Sequence, residues 1–219
     1  MTELTLVIGN KNYSSWSLRP WLLLKQAGIP FREIYIPTHT PQTRKSILQH
    51  SPAGRVPVLL DDAIRVWESL AICEYLGEKF PDRKFWPADP AARALARSVA
   101  TEMHAGFGAL RNNMTMNCRQ LFPGKGRTPE VLADIERIRG LWNDCRKRYG
   151  SGGDFLFGRF SIADAMYAPV ATRFKTYGVE LDTVSAAYRD TILALPAMRQ
   201  WYADAAGERE VIEEYEQRV

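Results

Sequence analysis

Four hydroxyl side chains crowd the stretch Asn12-Tyr13-Ser14-Ser15-Trp16-Ser17-Leu18-Arg19-Pro20-Trp21: Tyr13, Ser14, Ser15 and Ser17. A hydroxyl can donate to an anion such as a thiolate, lowering a thiol's pKa from its free value of about 8.5. The stretch opens a helical pattern, and a helix N-terminus itself favours negative charge. No cysteine lies in this loop, which argues against disulfide exchange by the protein's own thiols. Serine is equally a preferred helix cap, and Ser15 and Ser17 fit that bland role. Two further pairs could meet a ligand. Val56-Pro57 begins an apolar run, and a cis bond there would turn the Val56 backbone toward an extended, peptide-like ligand. The competing reading is an edge strand with a trans proline. Glu68-Ser69 precedes a helical pattern, where Ser69 could donate to a carboxylate and Glu68 accept from an ammonium, or either could simply cap the helix.

The elements that must position these residues follow from periodicity. Leu4 to Gly9 reads as a buried strand, and from Ser17 the pattern turns helical, with Pro20 in its first turn and Gly28 and Pro30 as its stop. Phe31 to Ile36 is a second strand and Thr43 to His50 a short helix. Val56 to Leu60 and Ile64 to Trp67 form two more strands around Asp61-Asp62, and a helix follows Glu68. Three prolines between Pro81 and Pro90 mark a linker, with Asp89 as cap and Pro90 as first residue of the next helix. Beyond it the patterns are helical: 90–117, 129–149, 162–177 and 188–206. This predicts β-α-β-α-β-β-α over 1–80, a linker at 81–89 and an all-helical region over 90–219.

Composition narrows the function classes. The chain has 219 residues, 46% of them hydrophobic, and a net charge of +4 with acids and bases intermixed, so no basic face for nucleic acid stands out. Arg139 to Gly150 reads as a solvated helix end. Cys73, Cys118 and Cys145 are odd in number and scattered, and His39, His50 and His104 supply no metal-ligand spacing. No run approaches the about 18 apolar residues of a membrane span, and the first residues lack a signal-peptide pattern. A cytoplasmic protein without metal is expected.

Taken in order, "SSWSLRPWL", "SPAGRVPVL", "WESLAICEYL", the proline-rich linker and the helical second half resemble the glutathione transferase superfamily over nearly the whole chain. "SSWS" is similar to the loop of zeta-class and related bacterial members. The resemblance implies a thioredoxin-like βαβαββα domain followed by an all-helical domain, glutathione as co-substrate, and a homodimer. It implies that Ser14 is the thiolate-stabilising hydroxyl, with Tyr13 as rival, and that glutathione is held by Ser15, Arg55, Val56, a cis Pro57, Glu68 and Ser69. Arg55 would reach the glycine carboxylate. The electrophile pocket would gather Tyr13, Trp16, His104, Phe107 and Arg111, with Met114 and Met116 as fillers or core. Trp16 departs from the zeta pattern, which has cysteine there. The implied activity is addition of glutathione to an apolar electrophile. The alternatives are a maleylacetoacetate-type cis–trans isomerase and a non-catalytic interaction module. Ser161 and Asp164 match the superfamily's capping box and read as structural.

Overall fold

The computed structural model describes residues 3–217. Its first part is built on strands β1 (Leu4–Ile8), β2 (Phe31–Tyr35), β3 (Val58–Asp61) and β4 (Ile64–Trp67) in the order β2-β1-β3-β4. β1 runs parallel to β2, with Leu4 opposite Phe31, and antiparallel to β3, with Val7 opposite Val58. β3 and β4 form the antiparallel hairpin, Val58 opposite Trp67. Alternation along β1 sends Leu4, Leu6 and Ile8 into the main core, and Val7 to the other face with Ile36, Ile47 and Val58. That main core receives helices α1 (Ser15–Gln26) and α3 (Ser69–Lys79) through Leu18, Trp21, Leu22, Ile72 and Leu76. Helix α2 (Thr43–Leu48) closes the smaller face with Ile47. This is the thioredoxin-like arrangement, and β3 is an interior strand preceded by a cis Val56-Pro57 peptide rather than an edge strand with a trans one.

The remainder is helical: α4 (Pro90–Ala105), α5 (Gly108–Asn113), α6 (Pro129–Tyr149), α7 (Ile162–Thr176), α8 (Thr183–Ala194), α9 (Pro196–Ala206) and α10 (Glu213–Gln217). Helix α7 is buried almost all round, and Trp142 of α6 meets its Tyr167 and Phe174 at ring-centre separations of 5.8 and 5.3 Å. The Ser161–Asp164 box caps it: the Asp164 carboxylate accepts the Ser161 and Leu156 N–H groups and the hydroxyls of Ser161 and Tyr188. Helix α7 also packs on α1, so one continuous core spans both parts of the chain.

Several boundaries differ from the periodicity. The pattern over 90–117 breaks at Gly106, where a Cβ would lie 2.8 Å from the Glu102 carbonyl, and Phe107 takes a left-handed φ of 57°. The 188–206 pattern divides at Pro196, which cannot continue α8, while α8 itself begins earlier, behind the Asp182 cap. Helix α1 starts at Ser15, which puts Pro20 inside the helix rather than in its first turn. Its cap is Ser14, not Ser15 or Ser17.

Candidate active site

Because β1 ends in a glycine-led loop that feeds α1, the four hydroxyls all sit at one helix N-terminus, with different partners. Ser14 caps α1: its Oγ accepts the Ser17 N–H at 3.3 Å and its hydroxyl donates to Ser17 Oγ at 2.7 Å. Ser17 is buried and also accepts the Gly9 N–H at 3.1 Å, so it locks the loop. Ser15 is buried and accepts from Arg173 of α7 at 3.3 Å. The Tyr13 hydroxyl donates to Glu216 at 2.6 Å and accepts from Arg119 at 2.9 Å. Burial and the Glu216 carboxylate together raise its pKa above the ordinary phenol value. Tyr13 is thus tied to the C-terminal helix, and Ser14 is the half-buried hydroxyl of the set.

Two adjoining clefts meet at this loop. The larger, about 680 Å³, runs from Ser14 and Ser15 between the loop leading into α2 and the start of that helix (Thr38 to Arg44), Arg111 and Met116, with Arg173 and Tyr215 from distant parts of the chain. The smaller, about 160 Å³, is enclosed by Trp16, Ala53, Arg55, Val56, Pro57, Trp67, Glu68 and Ser69. Trp16, Arg55 and Val56 line both. The larger cleft is cationic rather than simply apolar: Arg44, Arg55, Arg111 and Arg173 line it, and among the described residues no carboxylate does. Burial lowers the pKa of Arg173 to about 10, yet that leaves it charged at neutral pH.

Glu68 turns the chain from β4 into α3 with a φ of 69°, a left-handed conformation that costs a non-glycine residue energy. It leaves the Glu68 carboxylate 3.5 Å from His104 Nε2 and Ser69 at the head of α3. Burial, then Arg19, lowers the His104 pKa, which favours its neutral form. His104 packs edge-on against Trp16 with ring centres 5.3 Å apart, so it supports the clefts rather than lining them. Phe107 lies outside both clefts: the break after α4 turns it into the core. Arg111 and Trp16 do line the larger cleft, and their groups stack at 5.4 Å. Met116 lines it as well, whereas Met114 is core. The three thiols stay apart from this chemistry, each pushed up to about 12 by burial.

Arg19, Thr38, Arg173 and Tyr215 went unread in the sequence. Arg173 and Tyr215 lie more than 150 positions from Ser14, and no local pattern joins them to it.

The glutathione S-transferase N-terminal domain profile matches residues 13–79, and the C-terminal domain profile matches 124–204. The rat maleylacetoacetate isomerase is 34% identical over 172 residues, covering 76% of each chain. The chain belongs to the glutathione S-transferase family. A probable maleylacetoacetate isomerase of Caenorhabditis elegans is 27% identical over 187 residues, 84% of this chain and 85% of its own. Among solved structures, a Burkholderia glutathione transferase homologue with bound glutathione superposes with a TM-score of 0.73 at 23% identity, covering 94% of this chain and all of its own. A tau-class transferase from mango gives 0.71 at 18% identity over 98% of this chain and 96% of its own. These two likenesses are of fold. Within this glutathione S-transferase, the matched N-terminal stretch contains every residue of the smaller cleft.

Proposed function

We propose that this glutathione S-transferase binds glutathione across the two clefts, holds it as thiolate and adds it to an electrophile in the larger one. The observation that carries the reading is the meeting of the clefts at one helix N-terminus, with Ser14 on the larger and Glu68-Ser69 closing the smaller. In this reading Glu68 accepts from the γ-glutamyl ammonium and Ser69 donates to its carboxylate. The Val56 backbone pairs with the cysteinyl unit, and Arg55 meets the glycine carboxylate. Ser14 rotates its hydroxyl from Ser17 to the sulfur. Its donation stabilises the thiolate, and the α1 N-terminus adds partial positive charge. The sulfur lone pair then forms the new carbon–sulfur bond while the electrophile expels its leaving group or takes up a proton. The protein's part is thiolate stabilisation and proximity.

The test is Ser14→Ala. A hydrogen bond to a charged group is worth about 1.5–3 kcal/mol, so the variant is expected to raise the bound thiol's pKa by about one to two units. Its kcat at neutral pH falls about tenfold or more, with little change in glutathione affinity. Full activity at neutral pH in Ser14→Ala would rule Ser14 out and turn attention to Ser15.

A second reading is favoured by the relatives named maleylacetoacetate isomerase. Addition of the thiolate to a cis double bond, rotation and elimination would return glutathione unconsumed, and a carboxylate-bearing substrate would suit Arg111 and Arg173. Turnover of a maleyl compound without glutathione loss selects it over conjugation. The reading also carries a cytoplasmic homodimer, for which sedimentation gives the mass.

A further inference from the structure

Of the six tryptophans, the one that lines both clefts leaves its polar edge unused. Trp21, Trp86 and Trp201 give their indole N–H groups to the Glu33 carboxylate, the Glu74 carboxylate and the Lys11 carbonyl. Trp16 is half-buried, and its indole N–H donates to no described residue. That nitrogen is also absent from the buried polar atoms without a partner, a set that includes the indole nitrogen of Trp142. It is therefore reachable from the clefts that the ring lines. Trp67 lines only the smaller cleft and is 41% exposed, so water can satisfy its N–H.

The Trp16 ring is held from several sides. The guanidinium of Arg19 lies over it at 4.3 Å from the ring centre and that of Arg111 at 5.4 Å, while His104 meets it edge-on at 5.3 Å. Cations against the ring draw on its π electrons, which fixes the ring and makes its N–H a stronger donor. Trp16 is the second residue of α1, two positions past Ser14. The Ser14 hydroxyl already donates to Ser17 Oγ at 2.7 Å, a bond it must leave to reach a sulfur. The Trp16 N–H has no such bond to leave. A ligand lying across both clefts passes the residue that lines both, and for glutathione the unit at that junction is the cysteinyl one.

We infer that the Trp16 indole N–H is a second hydrogen-bond donor to the glutathione thiolate, which makes Trp16 a catalytic residue beside Ser14. This rests on the glutathione reading given above. A fixed donor directed at the sulfur favours thiolate over thiol, and the thiol's proton leaves to water as the thiolate forms.

The test removes the N–H and keeps an aromatic ring, as Trp16→Phe in the full-length protein. The bound thiol is titrated through the ultraviolet absorbance of the thiolate in the wild type, Trp16→Phe and Ser14→Ala. Trp16→Phe is expected to raise the pKa of the bound thiol by about one unit, the scale of one hydrogen bond to a charged group. Its kcat at neutral pH is expected to fall about tenfold and to recover as pH rises. Affinity for S-methylglutathione, which has no thiolate, is expected to stay within about threefold of the wild type. A variant that binds both ligands more weakly with the thiol pKa unchanged overturns the role, because the ring would then be a wall only. If Trp16→Phe does not fold, the Trp16 indole N–H resonance of the isotope-labelled wild type, assigned through its contacts to His104, decides. It is expected to move downfield with glutathione and much less with S-methylglutathione, and equal shifts overturn the role. A thiol shift in Ser14→Ala with none in Trp16→Phe overturns the role of Trp16 alone. A wild type that binds no glutathione, or binds it with a thiol no more acidic than the free one, overturns the thiolate reading itself, which is a different result.

Discussion

Four hydroxyls crowded into five positions look interchangeable until their partners are known. Ser17 accepts the Gly9 N–H and the Ser14 hydroxyl inside the fold. Ser17→Ala therefore strands a buried N–H and is expected to cost about 1–2 kcal/mol in a denaturant melt. The Tyr13 hydroxyl donates its hydrogen bond to Glu216 and accepts one from Arg119. Tyr13→Phe is thus expected to lower the melting temperature, because Glu216 loses a partner, without the upward shift in thiol pKa that marks Ser14→Ala. Measuring both pH profiles separates the two hydroxyls. Serine and tyrosine as residue types make the chemistry legible in the sequence. Which oxygen faces the cleft depends on a rotamer and on residues 100 to 200 positions away.

At the scale of elements, caps govern where the functional residues stand. Ser14 doubles as the α1 cap, and Glu68 ends β4 in a left-handed turn that begins α3. The Ser161–Asp164 box does the same for α7, the helix that carries Arg173 to Ser15. Burial pushes the Asp164 pKa up to about 6, against the pull of the N–H and hydroxyl donors around it. A carboxyl raised in the folded state is stabilising when protonated. Asp164 on its own therefore makes stability fall as pH rises from about 4 to about 6. Asp164→Ala is expected to cost about 2–4 kcal/mol at pH 7, because buried donors from three residues lose their acceptor, and to flatten that slope in melts between those pH values. Asp89, Pro90, Ser161 and Asp164 are local signals and were read correctly. The break at Gly106–Phe107 was not, because helical periodicity continues across it.

Across the whole molecule, the C-terminal segment ties the loop between β1 and α1 to the helical part. The Glu208 carboxylate accepts the Lys11 and Asn12 N–H groups, and Arg119 holds the carbonyls of Glu208 and Glu210. Tyr215 reaches His39 Nε2 at 3.1 Å, and both line the larger cleft. Glu208→Ala is expected to raise hydrogen exchange at Lys11 and Asn12 by about tenfold or more, the exchange equivalent of losing one buried partner. It should lower kcat through a looser loop rather than through glutathione affinity. Unchanged exchange at those two amides would show that the segment does not brace the loop.

By itself the sequence determined what is local or periodic. The alternation of β1, the helix stops at Gly28 and Pro30, the Pro90 start, the capping box, and the pairs Val56-Pro57 and Glu68-Ser69 all rest on interactions within a few residues. Those were enough for an α/β first half and a helical second half, and their order carried the family resemblance. Tertiary structure alone decided which hydroxyl is half-buried at the cleft, and that Phe107 is core while Arg173 and Tyr215 enter the cleft. It also decided that Trp16 lines both clefts beside the buried Arg19. Each of these depends on long-range packing, α7 against α1 and the C-terminal segment against the β1 loop, which no spacing in the chain encodes.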